Sequence, residues 1–272
     1  MRHSSKLIKG VRYAYLEAGD GPLLLLAHGT FGGKELMRPQ LDHLSQWFHC
    51  VALDWPGHGE SGFNPNGWNA DDLVENVVEL INGFGEDSAF LAGVSQGGAI
   101  FSRVTLAYPE RVRALVNMCG GPGEPPPAAL ARVNDLARLL AEETDETIRR
   151  REASLFASSY YHGPGFAERE PKLAELEVNL LLNQPVAALK LLPGVPASYK
   201  SILEQLSQIT CPVLIIWGDR DLRPSLGAEV AAATPGAQLV VIEGGGHHVN
   251  VDAPTQTSVE IEKFFRSVLQ RE

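Results

Sequence analysis

The sequence predicts an α/β protein with a mostly parallel, eight-stranded sheet flanked by helices, into which a separate block of helices is inserted. Two observations support this class. Short, continuously apolar segments recur along the chain, as in strands that are covered on both faces. Segments with apolar residues at helical spacing alternate with them, and this alternation is typical of parallel strands joined by right-handed crossovers. At 272 residues, the chain can bury one large core.

The predicted strands begin with a hairpin around Lys9-Gly10 and continue as buried apolar runs. Residues 23–27 are the clearest of these runs, since all five are apolar. The eight strands are predicted at residues 7–8, 11–16, 23–27, 50–53, 89–91, 113–118, 212–217 and 237–242. Apolar residues at helical spacing predict helices at residues 36–48, 70–84, 99–107 and 224–233, and a last one that carries Ile261, Phe264 and Phe265.

Residues 122–208 interrupt the alternation, because they contain helical segments and no convincing strand. These segments lie at residues 128–143, 144–158, 166–182 and 185–192, behind a proline-rich entry at residues 120–127. Helices packed on a face of the sheet would be one explanation. Since strands resume directly afterwards, we expect instead a helical cap, or lid, over one end of the sheet. The predicted domains are a core of residues 1–121 and 209–272 and a cap of residues 122–208.

The charge of the chain argues against nucleic acid as a partner. There are 33 acidic and 23 basic residues, for a formal net charge of −10, and no basic run offsets the repulsion of phosphates. We therefore expect a small molecule as the partner. The sequence leaves the oligomeric state open, with a homodimer as one option.

Three cysteines, Cys50, Cys119 and Cys211, lie in or beside apolar segments with no metal-ligand spacing. They are expected to be small buried side chains, and we expect no metal and no cofactor. The N-terminus has no apolar segment of signal-peptide length, and the longest apolar run is too short to cross a membrane. These features predict a cytoplasmic protein that does not associate with a membrane.

The segment Gly93-Val94-Ser95-Gln96-Gly97 lies between the end of a predicted strand and the start of a predicted helix. A serine on so sharp a turn takes strained backbone angles, and glycines two residues away on each side keep neighbouring Cβ atoms clear. The turn also places Ser95 at a helix N-terminus, where free N–H groups favour negative charge. These features predict that Ser95 is a nucleophile.

A serine nucleophile needs a base and a carboxylate that orients the base. In an open parallel sheet, ligands bind beyond the carboxyl ends of the strands. We assign the base to His247, which follows three glycines after the last strand, with the adjacent His248 as its rival. For the acid, Asp221 competes with Asp219, and Asp221 is preferred because an aspartate in the position of Asp219 commonly braces a turn.

An oxyanion must be met by preorganised backbone N–H groups. The first donor is assigned to Gln96, the residue after the nucleophile, and the second to the loop after the third strand. Within that loop, Thr30 is preferred and Phe31 is the alternative. His28 in the same loop is expected to be a structural brace rather than a catalyst.

Five segments carry a resemblance to a known family. They are His28-Gly29, Asp54-Trp55-Pro56-Gly57-His58-Gly59-Glu60-Ser61, Gly93-Val94-Ser95-Gln96-Gly97-Gly98, Gly218-Asp219-Arg220-Asp221 and Gly246-His247. Together they resemble the capped serine-hydrolase branch of the α/β-hydrolase superfamily. The resemblance implies the α/β-hydrolase fold, supports Asp221 as the acid and supports His247 as the base. The Ser-Gln-Gly-Gly elbow is similar to that of enol-lactonase-like and carboxylesterase members.

The functional expectation is a serine esterase or lactonase that cleaves a carboxylic ester or lactone of a small, largely apolar substrate through an acyl-enzyme. A first alternative is a carbon–carbon bond hydrolase that acts on a diketone with the same triad. A second alternative is a ligand-binding or sensor protein with little turnover on the same fold.

Overall fold

The computed structural model describes residues 1–271, and a single sheet of eight strands runs through its centre. The strands are β1 (Arg2–Ile8), β2 (Val11–Ala18), β3 (Leu23–Ala27), β4 (His49–Leu53), β5 (Ala89–Val94), β6 (Val112–Met118), β7 (Val213–Gly218) and β8 (Gln238–Ile242). Their order across the sheet is β1-β2-β4-β3-β5-β6-β7-β8. The pairs β1–β2 and β2–β4 are antiparallel and the other five pairs are parallel. The mostly parallel, eight-stranded sheet predicted from the sequence is confirmed.

β3 and β5 occupy the middle of the sheet, and every residue of both strands is buried. Helices on the two faces account for this burial. The helices outside residues 119–212 are α1 (Arg38–Leu44), α2 (Ala70–Gly83), α3 (Gln96–Ala107), α10 (Leu226–Ala233), α11 (Val249–Asp252) and α12 (Pro254–Leu269). The predicted apolar stripe of the last helix is buried in the main core, with Ile261, Phe264 and Phe265 at most 5% exposed.

Several element boundaries differ from the prediction by a few residues, and two examples lie in the first fifty residues. β1 begins at Arg2 rather than at residue 7, because it is an edge strand whose outward side chains are polar and whose order comes from backbone pairing with β2. The predicted helix at residues 36–48 is shorter, and consists of a 3₁₀ turn (Lys34–Met37) followed by α1. Pro39 stands in the first turn of α1, where the missing N–H costs nothing.

Between β6 and β7 the described residues contain helices and no strand. The helices are α4 (Pro127–Glu142), α5 (Glu146–Phe156), α6 (Phe166–Arg169), α7 (Pro171–Leu182), α8 (Val186–Leu189) and α9 (Gly194–Ala197), with a π-helical turn (Ala157–Tyr161) and a 3₁₀ turn (Glu204–Gln208). The predicted helix at residues 166–182 is two helices, because Pro171 starts a new one. We refer to residues 127–208 as the helical segment.

The helical segment has a hydrophobic cluster of its own, separate from the core around the sheet. Val133, Leu140, Phe156 and Leu181 belong to it, and Phe31 from the loop after β3 joins it. The segment therefore packs against the carboxyl-end loops of the sheet through Phe31. Within residues 1–271, no helix combines the length and apolar character that a membrane crossing requires.

Candidate active site

Ser95 lies on the turn between β5 and α3 with φ 54° and ψ −114°. Few residues other than glycine adopt a positive φ, so this conformation is strained. Two hydrogen bonds hold it: Ser95 N–H donates to the Met118 carbonyl (2.8 Å), and Ala99 N–H donates to the Ser95 carbonyl (2.9 Å). The turn thus joins β5, β6 and α3 at one point, and the strand–turn–helix context that the sequence predicted is present.

Three glycines make this turn sterically feasible. A Cβ on Gly93 would lie 2.4 Å from the carbonyl carbon of Gly97, and a Cβ on Gly97 would lie 2.4 Å from the Ala27 carbonyl oxygen. A Cβ on Gly98 would lie 2.4 Å from Asn117 Oδ1. The helix start and the strand end are therefore in direct backbone contact, which only glycine allows.

The predicted nucleophile, base and acid lie in one chain of hydrogen-bond contacts. His247 Nε2 is 2.8 Å from Ser95 Oγ, and His247 Nδ1 is 2.6 Å from Asp221 Oδ2. Ser95 follows β5, Asp221 follows β7 and His247 follows β8, so the parallel strands bring all three to the same edge of the sheet. With its proton on Nδ1, His247 can accept the Ser95 proton at Nε2.

Asp221, the predicted acid, is buried and its pKa is lowered. Burial alone would raise the pKa of Asp221, but the contact with His247 outweighs it and lowers that pKa below its ordinary value. Asp221 Oδ1 also accepts the backbone N–H of Arg223 at 2.8 Å. Cys119, which the sequence predicted only to be a small buried side chain, also lies against Asp221. Burial raises the pKa of the Cys119 thiol well above the usual value.

The two rival residues make other contacts. Asp219 Oδ1 accepts the N–H of Gly244 (2.7 Å) and braces the turns after β7 and β8. The ring of His248 stacks on Tyr161 with centroids 3.8 Å apart, and His248 Nδ1 is 2.6 Å from Glu177 Oε1. Among the described residues, the hydrogen bond to Ser95 Oγ comes from His247 and from neither rival.

The loop after β3 lies beside Ser95 and the start of α3. Thr30 Oγ1 donates to Gln96 Oε1 (2.9 Å), which joins this loop to the start of α3. Phe31 N–H donates to His58 Nε2 (3.1 Å) and is therefore occupied. The Thr30 N–H has no acceptor within residues 1–271, and the Gln96 N–H, at the first position of α3, has no intrahelical partner.

His28 is a brace, as expected, and the structure also gives Trp55 a role. His28 Nε2 accepts the backbone N–H of Trp55 (3.2 Å), and Trp55 Nε1 donates to the His28 carbonyl (2.9 Å). Both side chains are fully buried. This reciprocal pair fixes the loop after β4 against the loop that carries Thr30.

Ser95 and His247 open into a cavity between the sheet edge and the helical segment. Thr30, Gln96 and Asp221 line it from the sheet side. Most of the remaining wall is apolar or aromatic, and includes Leu130, Val133, Phe156, Tyr160, Tyr199 and Trp217. A ligand in this cavity would contact both the carboxyl-end loops and the helical segment.

A buried ionic cluster that sequence reasoning missed lies beside the site. It consists of Glu177, His162, His248 and Asp252, whose side chains are at most 2% exposed. We call it the Glu177 network. Glu177 contacts both histidines, and His162 Nδ1 is also 2.8 Å from Asp252 Oδ1. No spacing signal could reveal it, because its members lie up to 90 residues apart in the chain.

The network ties the helical segment to the loop that carries His247. His248 N–H donates to the Tyr161 carbonyl (2.8 Å), and Asp252 Oδ2 accepts the N–H groups of both Gly163 and Gly246. Gly246 directly precedes His247. The position of His247 therefore depends on contacts with residues that belong to the helical segment.

The charges of the network stabilise one another. Burial alone would lower the pKa of His162, but Glu177 and Asp252 outweigh it and raise that pKa to about 9. Burial alone would raise the pKa of Glu177, but His248 and His162 lower it to about 2. Burial keeps the pKa of His248 below its usual value. At neutral pH, His162 is therefore a cation between two carboxylates.

A mostly parallel sheet with a serine, an aspartate and a histidine at its carboxyl edge defines the α/β-hydrolase class of protein. The chain matches the model of the family described as the alpha/beta hydrolase fold over residues 22–254, and it belongs to this family. It is thus a hydrolase by family.

Known proteins resemble this chain over nearly its whole length. It is 29% identical over 257 residues, covering 91% of this chain and 89% of the relative, to the 2-(acetamidomethylene)succinate hydrolase of Mesorhizobium japonicum. The structure of a thermophilic esterase from Thermogutta terrifontis is similar, with a TM-score of 0.86, 21% identity and coverage of 98% and 99% of the two chains. That of the enol-lactonase from Burkholderia xenovorans LB400 has a TM-score of 0.85, 19% identity and coverage of 97% and 100%. At these identities, the two structures show the shared fold.

The first prediction concerns the turn at Ser95. Gly93→Ala should lower the free energy of unfolding by at least about 2 kcal/mol, because the new methyl group meets backbone atoms that cannot move aside. Gly194→Ala is the matched control, since a Cβ there lies no closer than 3.7 Å to a neighbouring atom. Urea unfolding followed by circular dichroism measures both. Equal stability of the two variants would contradict the prediction.

The second prediction concerns the Glu177 network. Glu177→Gln should lower the free energy of unfolding by about 3 kcal/mol at pH 7, because it leaves a buried His162 cation with one carboxylate fewer. Glu175→Gln on the same helix is the matched control, as Glu175 pairs with Arg150 on the surface, where such a pair contributes at most about 1 kcal/mol.

The pH dependence of stability tests the charge of His162. Its raised pKa contributes stability that is complete below about 6.5, the ordinary value, and is lost as the pH rises through about 9. The difference in unfolding free energy between the wild type and Glu177→Gln should therefore shrink between pH 6.5 and pH 9.5. Urea unfolding across this range measures it, and a difference that stays constant would show that His162 is not charged.

Proposed function

We propose that this chain is a serine hydrolase that cleaves a carboxylic ester or a lactone of a small substrate with an apolar skeleton. Ser95 is the nucleophile, His247 is the general base and then the general acid, and Asp221 orients His247. The observation that carries the proposal is the unbroken contact from Ser95 Oγ through His247 to Asp221, at the wall of an apolar cavity.

In the first half of the reaction, Ser95 Oγ attacks the carbonyl carbon while its proton passes to His247 Nε2. The ionised Asp221 stabilises the imidazolium that forms. The tetrahedral intermediate then collapses, and His247 gives the proton to the leaving oxygen. With an ester the alcohol departs, whereas with a lactone the new hydroxyl stays attached to the acyl group on Ser95.

In the second half, His247 takes a proton from water, which attacks the acyl carbon. The second tetrahedral intermediate then breaks its bond to Ser95 Oγ, His247 returns the proton to that oxygen, and the acid leaves. We assign the oxyanion hole of both halves to the N–H groups of Gln96 and Thr30. Gln96 N–H is free at the start of α3, and Thr30 N–H belongs to the loop that contacts Gln96. Phe31, the alternative donor, is committed to His58. Removing one such donor typically costs about 3 kcal/mol of transition-state stabilisation.

We further propose that the helical segment acts as the cap of the site and determines which substrates enter. Its side chains supply much of the apolar and aromatic wall opposite Ser95. Substrates that differ in chain length or ring size would therefore make different contacts with this wall. Relatives named as an esterase and an enol-lactonase share the fold, which is compatible with either ester or lactone cleavage.

The third prediction concerns Ser95. Ser95→Ala should lower kcat for a panel of p-nitrophenyl esters by at least about a thousandfold, because the acyl-enzyme cannot form. A fluorophosphonate should add to the wild type and not to this variant, as seen by intact mass. Ser154→Ala, at an exposed position on α5, is the control and should retain full activity. Full activity of Ser95→Ala would overturn the proposal.

The same panel separates the alternative functions when it is extended by a lactone and a vinylogous diketone. Preference for the diketone would favour a carbon–carbon bond hydrolase that uses the same three residues. Labelling by the fluorophosphonate with no turnover of any compound would favour a sensor protein. Ester or lactone turnover that depends on Ser95 supports the proposed function.

A further inference from the structure

Arg223 is the only arginine or lysine among the residues that line the cavity within the described part of the chain. It lies two residues after Asp221 and is half-buried. Its guanidinium makes no hydrogen bond and no ion pair with any residue in the range 1–271. A strongly hydrogen-bonding cation thus faces the same cavity as Ser95 with its donors unused.

The backbone of Arg223 is fixed relative to the triad. Its N–H donates to Asp221 Oδ1 (2.8 Å), and its carbonyl accepts from Trp217 Nε1 (3.1 Å). The side chain reaches the wall formed by Gly121, where a Cβ would lie 2.7 Å from Arg223 Nη2. The absence of a side chain at Gly121 therefore makes room for the guanidinium beside the cavity.

Two further arginines lie behind the aromatic rings of the cavity wall. Arg132 lies over the ring of Tyr160 at 5.2 Å, and Arg103 lies over the ring of Tyr199 at 4.3 Å. Their guanidinium groups donate to the Ser159 hydroxyl and to backbone carbonyls, and neither pairs with a carboxylate among residues 1–271. Besides Arg223, two guanidinium groups thus pack on rings of the cavity wall, and neither pairs directly with a carboxylate of the described chain.

The single carboxylate of the cavity wall does not offset this charge for a ligand. Asp221 is the only acidic lining residue in the described chain, its side chain is 3% exposed, and both of its oxygens are engaged by His247 and the Arg223 N–H. An anion in the cavity therefore meets one guanidinium with unused donors, and the only carboxylate of the described wall is already hydrogen-bonded. A cation that faces a ligand cavity attracts anions to it.

We infer that Arg223 binds a carboxylate group of the substrate, so that the preferred substrates are esters or lactones with an apolar skeleton and one free carboxylate. A guanidinium can hold a carboxylate through two parallel hydrogen bonds, and this geometry fixes the orientation of the ligand. The carboxylate binds at the Arg223 wall, the carbon chain lies against the aromatic residues, and the reacting carbonyl faces Ser95. The chemistry rests on the proposed function, whereas binding of the anion does not.

The fourth prediction compares an anionic with a neutral ester, p-nitrophenyl hydrogen glutarate and p-nitrophenyl hexanoate. The wild type should favour the glutarate ester in kcat/KM. Arg223→Gln should lower the ratio of the two kcat/KM values by about tenfold or more, since it removes a charge-assisted hydrogen bond. Arg223→Lys should fall between, because it keeps the charge and loses the two-pronged geometry. Raising the ionic strength should reduce the wild-type preference.

Arg220→Gln is the matched control. Arg220 is three residues away, its side chain is 61% exposed and pairs with Asp219, and it does not line the cavity. It makes the same change in net charge and should leave the ratio unchanged. Equal ratios in Arg220→Gln, Arg223→Gln and the wild type would overturn the anion subsite while ester hydrolysis itself could stand.

A binding measurement separates this inference from the proposed function. Ser95→Ala protein is titrated with glutarate and with glutaramide, and binding is followed by intrinsic tryptophan fluorescence, to which Trp217 in the cavity wall contributes. Glutarate should bind more tightly than glutaramide, and Arg223→Gln in the same background should remove this difference while Arg220→Gln should keep it. If no ester is hydrolysed, the proposed function is wrong, but this titration still shows whether Arg223 binds a carboxylate in the cavity. Equal binding of the two compounds would overturn it.

Discussion

The strained backbone of Ser95 is the constraint on which the rest of the site depends. A residue at φ 54° and ψ −114° persists only where the surroundings hold it. Here β5 is buried in the middle of the sheet, the Ser95 N–H is bonded to β6, and α3 starts in direct backbone contact with β3 and β5. The hydroxyl is thereby lifted above the carboxyl edge of the sheet. Every other group of the site is arranged around that position.

The loops that meet Ser95 are joined to one another rather than held separately. Trp55 and His28 bond the loop after β4 to the loop after β3, and Asp219 bonds the loop after β7 to the loop after β8. The Glu177 network then fastens the His247 loop to the helical segment. A buried cluster of charges adds little net stability, but loss of one member is costly. The contacts of the network therefore constrain the position of His247 relative to the wall of the cavity.

Much of the fold could be predicted because the relevant signals are local. Apart from Asn117 in β6, the buried residues of β3 to β7 are apolar or glycine. Gly93, Ser95 and Gly97 define their turn within five residues. The first residues of β1 were not predicted, because an edge strand is ordered by backbone pairing and does not need apolar side chains. The prediction of a single helix at residues 166–182 was wrong, because Pro171 begins a new helix. The prediction followed the continuous apolar pattern and not this proline.

By itself, the sequence determined the parallel sheet, the turn at Ser95 and a short set of partners for it, because strand burial and turn chemistry are encoded within a few neighbouring residues. Only the tertiary structure decided that His247 and not His248 contacts Ser95, and that Asp221 and not Asp219 contacts His247. It alone revealed the Glu177 network and the unpaired Arg223 at the cavity. These contacts join residues that lie far apart in the chain, and the direction in which adjacent side chains point depends on how the whole fold packs.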